Sequence, residues 1–208
     1  MKTIFLAAAI SMTLLIPTST QAQFGSLMNR GGEQSNAPDA KAFVASFVES
    51  YSQVLTAQVH FSEALGLKDQ VDLLKAEQQA MASGSVDTER LKKVSEVSAN
   101  AQRAIDERQQ AQPELDTEAK AAYGKGLGSL FDGLMTGRDV VSNAQAVGNS
   151  LGSNPMSLMG AGKTAAFVVK EAPGYLKNLQ ESAKLAMAFG KSNGVEAPAN
   201  ATSLLGDM

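Results

Sequence analysis

Residues 39–66, DAKAFVASFVESYSQVLTAQVHFSEALG, read as one amphipathic helix, and that reading sets the fold class. Phe43, Phe47, Tyr51, Val54, Gln58, Phe61 and Leu65 recur at spacings of three and four. Val44, Val48, Leu55 and Val59 widen this stripe into a broad apolar face, the signature of a helix that buries one side against several neighbours. Pro38-Asp39 opens the segment and Gly66 ends it.

The same period continues downstream. A shorter helix is predicted over 67–82, with Val71, Leu74 and Met81 inward, and Ser83-Gly84 breaks it. Ser85 or Asp87 caps a third helix that runs to about Ala111. Its stripe of Leu91, Val94, Val97 or Ser98, Ala101, Ala104 and Ile105 is narrow, close to an a/d seam with charge on every other side. Pro113 stops it and starts the next. The fourth helix carries Leu115, Ala119, Ala122, Tyr123, Leu127, Leu130, Phe131, Leu134 and Met135 on one face, and the pattern extends through Val140, Val141, Ala144 and Val147 to Leu151. Gly152-Ser153-Asn154-Pro155 is a turn signal. A fifth helical stretch covers 156–189, with Pro173-Gly174 expected to kink or split it. Residues 194–208 read as a loose tail. No segment alternates with a period of two. The expectation is an all-α bundle of four to five amphipathic helices in antiparallel hairpins, occupying residues 39–193.

Upstream, residues 1–22 have the form of an export signal. Lys2 supplies a positive charge, Ile4 to Ile16 is a 13-residue apolar run, Pro17 ends it, and Thr20-Gln21-Ala22 places small residues where a signal peptidase reads. The run is short for a membrane span. Residues 23–38, QFGSLMNRGGEQSNAP, form a polar, Gly-rich lead-in without period, expected to be flexible. Cleavage after Ala22 would leave 186 residues carrying 17 basic and 21 acidic groups. The absence of cysteine removes disulfides, thiolate metal sites and thiol nucleophiles. Together with an export signal it points to a bacterial periplasm. No nucleic-acid partner and no transmembrane segment of the mature chain are expected.

The chain offers little for catalysis. Gly160-Ala161-Gly162-Lys163-Thr164 resembles the end of a phosphate-binding loop, but Ser157 stands where the first glycine is required and no strand precedes it. It reads as a glycine-containing helix start. His60 is the single histidine, with Glu63 at i+3. The carboxylate pairs Asp69/Asp72 and Asp106/Glu107 lie in charge-mixed helices and read as solvated faces. Asn200-Ala201-Thr202 fits a glycosylation sequon, which is inert in a bacterial setting. No acid, base and nucleophile converge, so the expectation is a non-enzyme without cofactor or metal.

Two patterns ask for a purpose. Gly124, Gly126, Gly128, Gly133 and Gly137 fall within the fourth helix, where each costs about 1 kcal/mol relative to Ala. Gly124/Gly128 and Gly133/Gly137 have the spacing that lets two helices approach closely, within the bundle or in self-association. Lysines recur every seventh residue at Lys163, Lys170, Lys177, Lys184 and Lys191. With these at heptad position f, Ala165, Ala172, Leu179 and Ala186 occupy a, while Ala161, Val168, Tyr175, Ser182 and Phe189 occupy d. The stripe is either the solvated back of a bundle helix or a ridge for an anionic surface. Residues 23–120 hold 10 basic and 15 acidic groups, and residues 121–208 hold 7 and 6, so charge is segregated toward the ridge.

These features lead to an expected role in binding another envelope macromolecule, as an adaptor or chaperone-like protein. The alternative is an apolar or lipid ligand seated between the fourth and fifth helices, or association of the C-terminal half with anionic membrane. A pocket lined by Leu127, Phe131, Met135, Val168 and Tyr175 would favour the ligand. A filled core with an exposed apolar groove would favour the partner.

Overall fold

The broad stripe of residues 39–66 becomes the hub of the fold. A computed structural model describes residues 39–84, 86–153 and 159–206. It contains α1 (Ala40–Ala64), α2 (Lys68–Ser83), α3 (Thr88–Gln110), α4 (Thr117–Ser153), α5 (Ala161–Ser192) and α6 (Ala201–Gly206), with no strand among the described residues. The bundle is all-α. The export signal, the 23–38 lead-in, Ser85, the Asn154-Pro155 turn and the expected start of the fifth helix at Met156 lie outside the described residues.

Helix α1 packs on α2, α3, α4 and α5, which explains why its apolar face is wide rather than a narrow seam. Two clusters divide the core. One gathers Phe43, Phe47, Tyr51 and Leu55 with Leu74, Leu91, Val94, Val147 and Val168. The other gathers Phe61 with Ile105, Tyr123, Leu127, Phe131, Leu179 and Phe189. Helix α4 runs antiparallel to both α1 and α5. Gly126 of α4 lies beside Phe61 of α1, whereas Gly133 lies beside Val54 and Ser50. Gly190 of α5 faces Tyr123, whereas Gly137 faces Tyr175 and Leu176.

Helix ends follow their chemistry. Asp87 caps α3 by accepting a hydrogen bond from the Arg90 N–H at 2.9 Å. Asp116 likewise accepts from the Ala119 N–H at 2.8 Å as α4 begins. Gln112 adopts φ 48° in the connection, so Pro113 stops α3 but α4 starts only at Thr117. Gly66 closes α1 at φ 72°, its N–H reaching the Glu63 carbonyl and the Leu67 N–H reaching that of Ser62. This Schellman arrangement needs the left-handed conformation that glycine adopts without a Cβ penalty.

Two expectations are corrected. Of the kink or split expected at Pro173, the split does not occur: helix α5 continues through it as one helix. Proline forfeits one ladder bond there, but its ring faces solvent, while Ala172 and Leu179 on the inner face hold the helix against the core. The tail is not loose from residue 194 to residue 206. The Gly194 N–H bonds to the Lys191 carbonyl at 3.1 Å and the Val195 N–H to the Gly190 carbonyl at 2.9 Å, repeating the Schellman turn. The chain then folds back, and Ala201 and Leu204 of α6 are buried in the second cluster.

Tyr51 and Tyr123 are core residues, and Tyr175 packs half-buried against both clusters. Burial pushes the phenols of Tyr51, Tyr123 and Tyr175 above their ordinary value, with hydrogen bonding between Tyr51 and Ser95 and between Tyr175 and Ser50 partly opposing it. A raised phenol pKa means that the unfolded chain loses these protons first. The stability tied to them is therefore complete below pH about 10 and is lost as pH rises beyond it. Without tryptophan in the chain, phenolate absorbance is easily read. It is expected to emerge only together with loss of helical circular dichroism. Ordinary titration near pH 10 with helix intact would contradict this packing.

Candidate functional site

The glycines of α4 serve the interior. Gly126, Gly133 and Gly137 are buried. A Cβ on Gly126 would stand 2.6 Å from two Phe61 ring carbons, and one on Gly133 would stand 2.9 Å from Val54 Cγ2 and 3.2 Å from the Ser50 carbonyl oxygen. At Gly137 it would meet Ser50 Oγ at 3.3 Å and the Tyr175 ring at 3.5 Å. The close approach of α1 to α4 thus runs along Gly126, Gly133 and Gly137. The Gly124/Gly128 pair does not line it: Gly124 faces Val195 at 3.6 Å, and Gly128 has open space where a Cβ would go. Along this seam the Ser50 hydroxyl donates to the Gly133 carbonyl and Tyr175 Oη lies 2.8 Å from Ser50 Oγ, joining three helices.

The space between α4 and α5 is occupied by the core. Leu127 and Phe131 sit in the second cluster and Val168 in the first, each at most 1 % exposed. Tyr175 stacks on Tyr51 at 4.9 Å, and Met135 is 43 % exposed. His60 Nδ1 lies 3.4 Å from Glu63, which also accepts from Lys75 Nζ at 2.8 Å. The Lys75 ammonium holds the Glu63 carboxyl below its ordinary range. This is a solvated charge cluster beside the α1–α2 turn. Gly160, at φ 59°, precedes the first turn of α5, so the Gly-Ala-Gly-Lys-Thr run is a helix start. Among the described residues no three His, Asp or Glu side chains group as a metal site, and no helix is long and apolar enough to cross a membrane.

An accessible groove of about 310 Å³ has α1 as its floor and α3 and α5 as its walls. Tyr51 and Val54 line the floor, and Leu179 and Leu185 the α5 side. Leu185 is 51 % exposed, an apolar side chain standing at the lip. A chain of polar groups runs along the α3 side. Ser98 Oγ donates to Gln58 Oε1 at 3.0 Å, Gln58 Nε2 donates to Gln102 at 3.1 Å, and Gln102 Nε2 donates to Asp106 at 2.8 Å. Burial raises the Asp106 carboxyl above its ordinary range, with the Gln102 hydrogen bond opposing. Arg103 also lines the groove, exposed and hydrogen-bonded to Asn100. Asp106 makes no ion pair with another described residue, and Glu181 adds a second carboxylate to the lining.

The five lysines of α5 are all exposed. Lys184 and Lys191 line a second opening, between α5 and the returning chain around Val195 and Leu205. Neither the groove nor this opening was visible as a motif. Each arises where two helix faces diverge, a tertiary property, although the Gly194-Val195 step carried the cue for a chain reversal.

Comparison of the chain with protein-family models, with curated proteins and with solved structures returns no match.

Proposed function

We propose that this protein is exported, carries no catalytic centre, and acts by binding another macromolecule of the cell envelope through the groove between α3 and α5. The observation that carries this reading is the pairing of a half-exposed Leu185 with two carboxylates, Asp106 and Glu181, that make no ion pair with another described residue and outnumber the single cation Arg103 around one groove. An apolar anchor beside fixed charge suits an amphipathic segment that carries a basic residue. The apolar contact supplies affinity and the carboxylates select register. The packed core between α4 and α5 argues against a ligand held inside the bundle.

Purification of the native chain from the envelope fraction tests both parts. Export is supported by an N-terminus at Gln23, and an intact Met1 terminus contradicts it. Leu185→Glu is expected to weaken retention of the partner by more than about tenfold, as removal of a central anchor does. Asp106→Asn should weaken it less. Neither change should move the unfolding midpoint much, because Leu185 is exposed and an Asn at 106 keeps an acceptor for the Gln102 amide. Unchanged retention in both variants would exclude the groove.

A further inference from the structure

The chain reversal at Gly194 creates a cleft on a different flank of α5 from the groove. Residues 195–206 run back over the bundle, Val195 reaches toward Gly124 of α4, and Leu204 is buried. Between this return and α5 lies a cavity of about 750 Å³, within the range of about 300–1,000 Å³ that small-molecule sites occupy. Met187, Val195 and Leu205 form its half-buried apolar lining.

Lys184 and Lys191 stand along the same wall. They are seven residues apart, two turns or about 10 Å on one side of the helix. Both are exposed, and neither makes an ion pair with another described residue. Glu196 is the acidic residue of the lining, so the rim carries a net positive charge in a chain whose formal net charge is −3.

We infer that this cleft binds a single-chain amphiphile with an anionic head, of the fatty-acid class. The hydrocarbon lies on Met187, Val195 and Leu205, and the carboxylate sits at the rim between the two ammonium groups. An apolar wall alone would accept any hydrocarbon; the lysines select the charged end. Their flexible stems let each head group follow the carboxylate while its methylenes extend the apolar lining. The cleft rather than a flat bilayer is the fitted surface. The lysine stripe drifts by about 20° per heptad, so Lys163 and Lys191 face directions about 80° apart, and Lys163, Lys170 and Lys177 do not line the cavity.

Displacement of dansyl-undecanoate by oleate from the purified protein tests the assignment. Saturable binding of one oleate per chain is expected. Lys184→Gln combined with Lys191→Gln should weaken it by about tenfold or more, as loss of charge-assisted contacts does. Glu196→Gln should tighten it about two- to threefold, and Lys163→Gln with Lys170→Gln should leave it unchanged. These are surface changes that leave the fold in place. Oleyl alcohol should compete poorly. Absence of saturable displacement, equal competition by oleate and oleyl alcohol, or unchanged affinity in the Lys184/Lys191 variant would each overturn the proposal. So would association confined to phosphatidylglycerol vesicles, which would place anion contact on the lysine stripe instead.

Discussion

Gly133→Leu is expected to destabilise the bundle by about 3 kcal/mol, an overpacking cost that exceeds the roughly 1 kcal/mol gained by removing a glycine from a helix interior. The first side-chain carbon alone would lie 2.9 Å from Val54 Cγ2 and 3.2 Å from the Ser50 carbonyl oxygen. Val54 is 5 % exposed and β-branched, so it cannot swing aside cheaply. Backbone separation of α1 and α4 would also break the Ser50–Gly133 hydrogen bond of 2.8 Å. For a chain of this size the unfolding temperature should fall by roughly 6–12 °C. Gly128→Ala is the matched control on the same helix. It has open space for a Cβ and should gain up to about 1 kcal/mol. If both variants are stabilised, the α1–α4 seam is not a close-packed interface.

The other large effect is expected at Tyr123. Its ring is fully buried, 4.6 Å from Phe61 and 5.2 Å from Phe189 by centroid, and a Cβ on Gly190 would come within 3.3 Å of it. Its hydroxyl accepts from Gln109 Nε2 at 2.7 Å and donates to the Ala186 carbonyl at 3.1 Å, tying the end of α3 to α5. Tyr123→Ala removes the ring and leaves a cavity, at a cost of about 3–5 kcal/mol. Tyr123→Phe keeps the ring but strands a buried amide on Gln109, at about 1–2 kcal/mol. Equilibrium denaturation with unchanged m-values measures both. Equal losses in the two variants would mean that the hydroxyl, not the ring, carries the contribution.

The legibility of this molecule follows the range of the interactions involved. Helix α1 was readable because its period is local and its apolar face is wide. The Asp87 cap and the Gly66 stop were readable because capping depends on a few neighbouring atoms. Gly126 stands outside the two pairs of glycines four apart, so that spacing does not mark it as a contact residue. The α1 face meets α4 at positions 126, 133 and 137, steps of seven and four, and that choice depends on how α4 is rotated about its axis. Pro173 looked disruptive because local sequence does not show that it faces solvent on a helix anchored by Ala172 and Leu179. The tail looked loose because six residues of helix are too few to form alone; burial of Ala201 and Leu204 supplies what propensity does not. The groove was illegible for the same reason: Asp106 was a solvated charge in sequence, and only the placement of α5 across from α3 half-buries it.

The central claim is that the α3–α5 groove holds a macromolecular partner, and a photocrosslinking residue installed at position 185 in living cells tests it most directly. The account predicts a discrete adduct from position 185 that is absent when the same residue replaces Asp132, an exposed position on α4 outside the groove, and that fades when Asp106→Asn is added. No adduct from position 185, or the same adducts from both positions, would contradict it.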